Sequence, residues 1–156
     1  MAQVGPDRHK EVYDVIVDNR MTKHFPVTMT YDAIQEMVHA FPNRMIFFAA
    51  FDGDSMIASS ICVKVSSSIL YVFYWGDRSG YEHLSPVTLL AQCIYDYAQQ
   101  ARFHLIDFGT ATLGGVPIYG LISFKREIGC FPSPKPTYVK DLRSTVQRSL
   151  NSSDAR

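Results

Sequence analysis

The sequence predicts an α+β fold in three layers (αβα), with a mixed antiparallel and parallel central sheet flanked by helices. Two segments with helical spacing come first, and three apolar segments of strand length follow. A capped helix then joins the third strand to a fourth, which favours a right-handed crossover between parallel strands. The 156 residues, 47% of them hydrophobic, suit one domain. We expect this domain at residues 1–142 and a flexible tail at residues 143–156.

Two helices are expected before the sheet. Residues His9–Arg20 carry apolar side chains at helical spacing among charges, which is typical of an amphipathic helix. Thr30 is a good N-cap for the second helix, and Pro42 follows its end. The predicted apolar stripe of this second helix consists of Ile34, Met37, Val38 and Phe41.

The three strands of the meander are predicted at 45–52, 55–65 and 68–76. The dipeptide Asp52-Gly53 is a strong hairpin signal between the first two strands. The third strand is almost wholly apolar, which indicates a central position in the sheet. We therefore expect an antiparallel meander.

The crossover begins with the polar, glycine-containing loop Gly76–His83. Ser85 then suits an N-cap and Pro86 suits the first helical position, and the helix should run to about Arg102. Residues 103–108 follow with the composition of a strand. Lys135–Leu142 is a candidate for a last strand.

A helix is predicted at Ile118–Gly129, with Gly129 as the left-handed residue that ends it. Helical spacing puts Lys125 on the same apolar face as Leu121, Phe124 and Ile128. Burying an ammonium is costly unless it is paired or opens into a cleft. Either the stem of Lys125 reaches water at the end of the helix, or its charge points into a site.

Composition excludes several classes of function. The formal net charge is zero, so there is no global attraction to nucleic acid or to an anionic membrane. Three cysteines far apart argue against a disulfide framework and favour a reducing, cytoplasmic setting. The histidines show no metal-ligand spacing, so we expect no metal site, and the apolar runs are too short for a membrane span.

The section from Phe124 onward is locally basic. Its side chains are either an ordinary solvated surface or a contact for the phosphates of a tRNA or of a nucleotide-linked acceptor. The residues concerned are Lys135, Lys140, Arg143 and Arg148.

Open mixed sheets bind ligands beyond the carboxyl ends of their parallel strands, and two such ends occur here. The first leads into the helix at Ser85, whose free N–H groups favour an anion. The second ends just before the helix that carries Lys125. The candidate residues are Tyr74, Trp75, Gly76, Asp77, Arg78 and Ser85 at the first end, and Asp107, Gly109 and Thr110 at the second.

Several of these residues also suit purely structural roles, and the sequence leaves that alternative open. Asp107 suits an acceptor for the following turn, Tyr74 and Trp75 suit core aromatics, and Arg78 suits a solvated loop arginine. The chain has neither of the glycine-rich phosphate-binding patterns and no recognisable nucleophile motif.

Three short motifs stand out in this order of elements. They are Ser85-Pro86 opening a helix, Asp107-Phe108-Gly109 ending a strand, and Gly120-Leu121 followed by Phe124-Lys125-x-x-x-Gly129. The order of elements resembles the GNAT acyltransferase fold, and the motifs resemble its Fem-like branch over roughly residues 19–142. The resemblance implies transfer of an acyl or aminoacyl group, from a thioester such as acyl-coenzyme A or from an aminoacyl-tRNA. The acceptor would be an amine or hydroxyl on a small molecule, a peptide or a sugar precursor, and no prosthetic group is implied.

Carried onto this chain, the resemblance implies Lys125 near the reacting carbonyl, and we assign Asp107 as its catalytic companion. Tyr74, Trp75, Gly109 and Thr110 would contact substrate, and Gly76, Asp77, Arg78 and Ser85 would hold the donor. The 76–83 loop departs from the pyrophosphate-binding pattern of coenzyme A-dependent members. Fem-type enzymes also carry two such folds, so the second half of the acceptor site would have to come from a homodimer or be missing. The alternative is a catalytically silent GNAT-like domain that binds a ligand or partner.

Overall fold

A computed structural model describes residues 1–140 of the chain, and its central sheet has five strands in the order β1-β2-β3-β4-β5. Strands β1 to β4 are antiparallel neighbours, and β4 and β5 are parallel. Short 3-10 turns precede the first and third helices. The elements are β1 (Ala2–Gln3), α1 (His9–Thr22), α2 (Tyr31–Ala40), β2 (Met45–Asp52), β3 (Ser55–Lys64), β4 (Ile69–Asp77), α3 (Pro86–Gln100), β5 (Leu105–Asp107), β6 (Thr112–Leu113), β7 (Val116–Pro117) and α4 (Tyr119–Glu127).

The sheet separates two apolar clusters. On one face, α1 and α2 pack on β2, β3 and β4 through Val12, Ile16 and Ile34, all of them fully buried. On the other face, α3 packs through Leu90 and Ile94. The predicted αβα layering follows from these two clusters, because each helix buries its apolar stripe against the sheet.

A bulge in β4 changes which way its side chains point. Ile61 pairs with Tyr74 and Cys62 pairs with Val72, so Phe73 is an extra residue in β4. An extra residue reverses the alternation of side chains along a strand. Before the bulge, Val72 packs in the α3 cluster. After it, Tyr74 packs in the α1 cluster and Trp75 against the α3 cluster.

The four predicted strands lie in one sheet with the parallel pair at β4 and β5, which confirms the expected arrangement. Thr30 caps α2, because its Oγ1 accepts the N–H of Ala33 at 3.2 Å. Gly129 has a φ of +94°, the left-handed conformation that was expected after α4.

The predicted end of α2 was wrong, whereas the predicted turn after β2 was right. The helix α2 ends at Ala40, so Phe41 falls outside it and is 57% exposed, and Ile34 is the buried member of the predicted stripe. The predicted hairpin is confirmed, because Asp52 pairs with Ser55 and Gly53 and Asp54 form the turn, with Gly53 at a φ of +56°.

The other differences between the predicted and the observed elements concern the short strands. The fourth strand covers 105–107 rather than 103–108, because it pairs with β4 only from Leu105 to Asp107. The pairing of β1 with β2 and the β6–β7 hairpin were not expected. Residues 135–140 form no strand, contrary to the prediction for 135–142, and the remainder of that segment and the predicted tail at 143–156 lie outside the described residues.

Helices of residues 1–140 are all too short or too polar to cross a membrane.

Candidate active site

A cleft opens where β4 and β5 part. The two strands pair only from Ile69 with Leu105 to Tyr71 with Asp107. Residues 72–77 of β4 continue without a partner on that edge, and a cavity of about 850 Å³ lies in the fork. The start of α3, residues 108–110 and α4 line one side of it. The end of α1 and the chain as far as Thr28 line the other side. The cleft therefore reaches both faces of the sheet.

Aromatic rings form the wall on the α3 side. The ring of Trp75 lies 5.2 Å from that of Phe108 and 5.8 Å from that of Phe124. This wall joins β4, the chain after β5 and α4. It gives the cleft an apolar surface, as is common in small-molecule sites.

The first turn of α3 opens into the cleft. Ser85 is the N-cap residue and Pro86 the first helical residue, as predicted, but Ser85 has left-handed backbone angles (φ 48°, ψ 51°) and its side chain makes no cap bond. Its carbonyl accepts the N–H groups of Thr88 and Leu89 at 3.0 and 3.2 Å. Within residues 1–140 the N–H of Val87 has no acceptor, so it stays open to a ligand.

The loop before α3 is held by its own side chains. Arg78 does not line the cleft, because its Nε donates to the carbonyl of Met56 and its Nη1 to Asp18. The carboxylate of Glu82 accepts the N–H of Gly80 at 2.9 and 3.0 Å. Backbone hydrogen bonds, from its own N–H and from Gly80, lower the pKa of Glu82. The Glu82 carboxylate therefore takes the Gly80 N–H, which is not available to an anionic ligand.

Lys125 is buried, with 8% of its surface exposed. Its Nζ donates to the carbonyl oxygens of Phe108, Gly109 and Thr110 at 2.7, 2.9 and 2.9 Å. An ammonium has three protons, so all of them are used. Burial lowers the pKa of Lys125, while Cys130 and Asp107 act to raise it. The predicted burial on an apolar stripe is confirmed, and the charge points at the backbone that forms one lip of the cleft.

Asp107 lies at the end of β5 but does not line the cleft. One carboxylate oxygen accepts the N–H of Gly109 at 2.7 Å and the other accepts Lys135 Nζ at 2.8 Å. Burial would raise the pKa of Asp107, but the hydrogen bonds from Lys135 and Gly109 outweigh burial and hold this pKa below its ordinary value. A carboxylate with a lowered pKa is a weaker base.

The α1 side of the cleft is polar. Tyr74 is 6% exposed and its hydroxyl shares a hydrogen bond with the Thr28 hydroxyl. The guanidinium of Arg20 lies 5.8 Å from the centre of the Tyr74 ring. The Nε of Arg20 is buried and has no hydrogen-bond partner within residues 1–140.

The end of α1 lies directly against β4. Asn19 donates from Nδ2 to the carbonyl of Asp77 at 2.9 Å and to its Oδ1 at 2.6 Å, and Lys23 reaches the same carboxylate at 3.4 Å. A Cβ on Gly76 would stand 2.7 Å from the Cβ of Asn19. Glycine at position 76 therefore allows the close approach that brings α1 to the cleft.

Two cleft residues were missed from the sequence. Tyr71 is the last β4 residue paired with β5, and its hydroxyl has no partner in the part of the chain that the structure describes. The hydroxyl lies 3.7 Å from where a Cβ on Gly109 would be. Arg20 follows the buried residue Ile16 by four positions on α1. The rule that singled out Lys125, a cation next to an apolar helical stripe, finds Arg20 as well.

The cleft brings together most of the predicted site residues. Those that line it are Tyr74, Trp75, Gly76, Asp77, Ser85, Gly109, Thr110 and Lys125. The exceptions are Asp107 and Arg78. Within residues 1–140, no three acidic, histidine or cysteine side chains are grouped so that they could hold a metal ion.

Solved acetyltransferase structures share this fold. An aminoglycoside acetyltransferase from an uncultured soil metagenomic sample, solved with trehalose, superposes with a TM-score of 0.65 at 9% identity over 90% of this chain and 93% of that one. Aminoglycoside 6'-N-acetyltransferase AAC(6')-IG from Acinetobacter haemolyticus gives a TM-score of 0.64 at 12% identity, over 90% and 96%. AAC(6')-Iy, in complex with the bisubstrate analog CoA-S-monomethyl-acetylneamine, gives 0.65 at 7% identity, over 90% and 95%. The fold is that of the GNAT acetyltransferases.

The sequence agrees with the fold. The family model described as Acetyltransferase (GNAT) domain matches residues 3–121, and the chain belongs to this family. No curated protein is similar to the chain in sequence. The Fem-like branch, which the short motifs resemble, is not confirmed by these comparisons and stays a prediction.

Proposed function

We propose that this protein transfers the acetyl group of acetyl-coenzyme A to an amine or hydroxyl of a small acceptor bound in the cleft. The observation that carries the proposal is the unpaired edge of β4 at residues 72–77, which runs along the fork toward the first turn of α3. Membership of the GNAT acetyltransferase family supports it. So does the coenzyme A analogue bound to a protein of the same fold.

The donor suits this edge chemically. The arm of coenzyme A contains two amides, which can pair with free N–H and C=O groups of a strand edge as an added strand would. Its phosphates would lie toward the first turn of α3, where the Val87 N–H and the helix dipole favour negative charge. The carboxylate of Glu82, held by Gly80, fills the nearby turn, so the phosphates would meet fewer N–H donors than the loop could otherwise offer.

The reaction needs no covalent enzyme intermediate. The acceptor nitrogen or oxygen, entering from the α1 side, attacks the thioester carbonyl carbon. The new bond to carbon forms, the carbon–sulfur bond breaks, and the thiolate leaves with the electron pair. A proton must reach that sulfur, and the free hydroxyl of Tyr71 at the fork is the group that we assign to this step. The proton that the acceptor nitrogen or oxygen loses passes to water, and water returns a proton to the Tyr71 oxygen.

We assign Lys125 a positioning role. Its three hydrogen bonds hold the carbonyls of residues 108–110, which form a lip of the cleft, and leave no proton for a developing oxyanion. The role of Asp107 would be similar, because its carboxylate is shared between Lys135 and the Gly109 N–H. Catalytic roles for both residues remain the alternative that the Fem-like resemblance implies.

Two other proposals rest on that resemblance alone. They are an aminoacyl-tRNA donor, with the basic residues Lys135 and Lys140 near its phosphates, and a homodimer that completes the site. The comparisons support neither of them, nor a catalytically silent domain.

The test is release of free thiol from acetyl-coenzyme A, measured with a panel of amine and hydroxyl acceptors. Wild-type protein should release thiol in proportion to acceptor. Tyr71→Phe should lower kcat by roughly 100-fold and leave KM for acetyl-coenzyme A nearly unchanged, since a positioned acid contributes about 10²–10⁴-fold. Tyr138→Phe, at a tyrosine that is 88% exposed, is the matched control and should turn over normally.

Two results would count against the proposal. Absence of thiol release with every acceptor, together with no binding of coenzyme A by calorimetry, would remove the acetyl-coenzyme A donor. Binding of an aminoacyl-tRNA that weakens as salt rises would then favour the aminoacyl donor instead.

A further inference from the structure

Six charged side chains line the cleft, and four of them have partners within residues 1–140. The carboxylate of Asp77 is held by Asn19 and Lys23, and that of Glu82 by the Gly80 N–H. The ammonium of Lys125 is held by three carbonyls. These groups therefore have little capacity left for a ligand.

Arg20 differs from these four charges. In residues 1–140 its guanidinium has neither a carboxylate partner nor a hydrogen-bond acceptor, and its Nε is buried. A buried donor without a partner is costly, and such groups are rare in folded proteins. Because Arg20 lines the cleft, a ligand bound there can supply the guanidinium with the acceptor that residues 1–140 do not provide.

The surroundings of Arg20 fit a small polar ligand. The side chain lines the cleft on the α1 side, beside the Tyr74 ring at 5.8 Å and near the hydrogen-bonded hydroxyls of Thr28 and Tyr74. Lys23 adds a second positive charge one turn along α1. Glu82 and Glu127 are the exposed carboxylates of the lining in residues 1–140. Glu82 is held by the Gly80 N–H, and Glu127 belongs to α4, which contacts α3 on the opposite side of the sheet.

We propose that the acceptor carries an oxyanion, a carboxylate or a phosphate, which the guanidinium of Arg20 binds while the acceptor amine or hydroxyl faces the thioester. The planar fork of arginine matches both kinds of oxyanion, and hydrogen bonds between two charged groups are stronger than those between neutral groups. The acceptor role rests on the proposed function. Aminoglycosides, whose several amines are protonated at neutral pH, would be repelled by Arg20 and Lys23, although the solved structures of this fold include aminoglycoside acetyltransferases.

The experiment compares acceptors that differ only in the anionic group. Alanine is set against alaninamide, and glucosamine against glucosamine phosphate, with sisomicin as the polycationic acceptor. The pair with the larger difference identifies carboxylate or phosphate as the oxyanion. The anionic member should have a kcat/KM about 10- to 100-fold higher than its neutral partner, the range expected for a hydrogen bond to a charged group.

Variants then assign the selectivity to one side chain. Arg20→Met should bring the ratio within each pair close to one, and Arg20→Lys should retain part of it. Arg126→Met removes the same charge from an exposed position on α4 that does not line the cleft, so it should leave the ratio unchanged. Circular dichroism melting of each variant checks that the fold is retained.

Binding of the anionic and neutral probes, measured by calorimetry without donor, separates this proposal from the proposed function. Selective binding of an anionic probe that Arg20→Met abolishes, with no thiol release, would refute acetyl transfer and keep the anion site. Transfer without selectivity, a ratio that Arg20→Met leaves unchanged, or preference for sisomicin would overturn the anionic acceptor. Neither binding nor transfer would overturn both.

Discussion

Two helices on opposite sides of the sheet each place a basic residue at the same cleft, and the surroundings of the two residues differ. On the α4 side, Lys125 has three carbonyl acceptors for its three protons. On the α1 side, Arg20 has a buried Nε with no acceptor in the described residues. Sequence patterns for the two are alike, since both are cations next to apolar helical stripes. The first residue therefore holds the fold, whereas the second is available to a ligand.

This comparison predicts that the two sites respond differently to mutation, beginning with Lys125. Replacing it by methionine should lower the free energy of unfolding by about 3 kcal/mol, because carbonyls left without a partner each cost about 1–3 kcal/mol. Urea denaturation measures the change. Arg126→Met, at the next and exposed residue of α4, should stay within about 0.5 kcal/mol of wild type.

The opposite result would be just as informative. If Lys125→Met were as stable as Arg126→Met but slow in transfer, the positioning role would be wrong and the catalytic role predicted from the Fem-like resemblance would be favoured. A loss of about 2.7–4 kcal/mol in transition-state stabilisation is typical when one oxyanion donor is removed.

A second prediction tests the contact that brings α1 to the cleft. Gly76→Ala should destabilise the protein by about 1–3 kcal/mol, since its Cβ would stand 2.7 Å from the Cβ of Asn19. The same substitution at Gly120 in α4, where nothing lies within 4 Å, should stabilise by about 0.5–1 kcal/mol. Thermal unfolding compares the two. Equal effects at both glycines would contradict a tight α1–β4 contact.

A third prediction concerns pH and the lip of the cleft. The pKa of Asp107 is lowered in the folded protein, so its contribution to stability is present above the ordinary carboxyl pKa, 3.8, and is lost as pH falls through the folded value. Asp107→Asn should therefore be less stable than wild type by about 0.5–1 kcal/mol at pH 5–8. The difference should vanish in strong acid.

Denaturation at several pH values checks this prediction. Lys135→Met should remove part of the same difference, because Lys135 is the side-chain partner of Asp107. A difference between wild type and Asp107→Asn that persists unchanged at the lowest pH would show that the carboxylate charge is not its cause.

The smallest effect is expected at Arg20. Arg20→Met removes a buried donor without a partner, which favours folding, and also removes a cation facing the Tyr74 ring, which is worth about 0.5–1 kcal/mol. The free energy of unfolding should thus change by less than about 0.5 kcal/mol. A loss as large as that of Lys125→Met would mean that Arg20 is structural too, and the contrast between the two helices would disappear.

The sequence alone determined the order of the helices and the main strands, because each has its own period of apolar residues and its own boundary signals. Thr30 before α2, Pro86 at the start of α3 and Gly129 after α4 are local features that need no tertiary contact. Helical spacing was also sufficient to predict that Lys125 lies on a buried face.

Only the tertiary structure decided what those buried side chains contact. The bulge at Phe73 exchanges the faces that Tyr74 and Trp75 would otherwise occupy, and it depends on the pairing of β3 with β4 rather than on any local pattern. The partners of Lys125 are backbone carbonyls of residues 108–110, which carry no sequence signature. Arg20 and Lys125 look alike along the chain, and their difference arises because a hydrogen bond depends on distance in space and not on spacing in sequence.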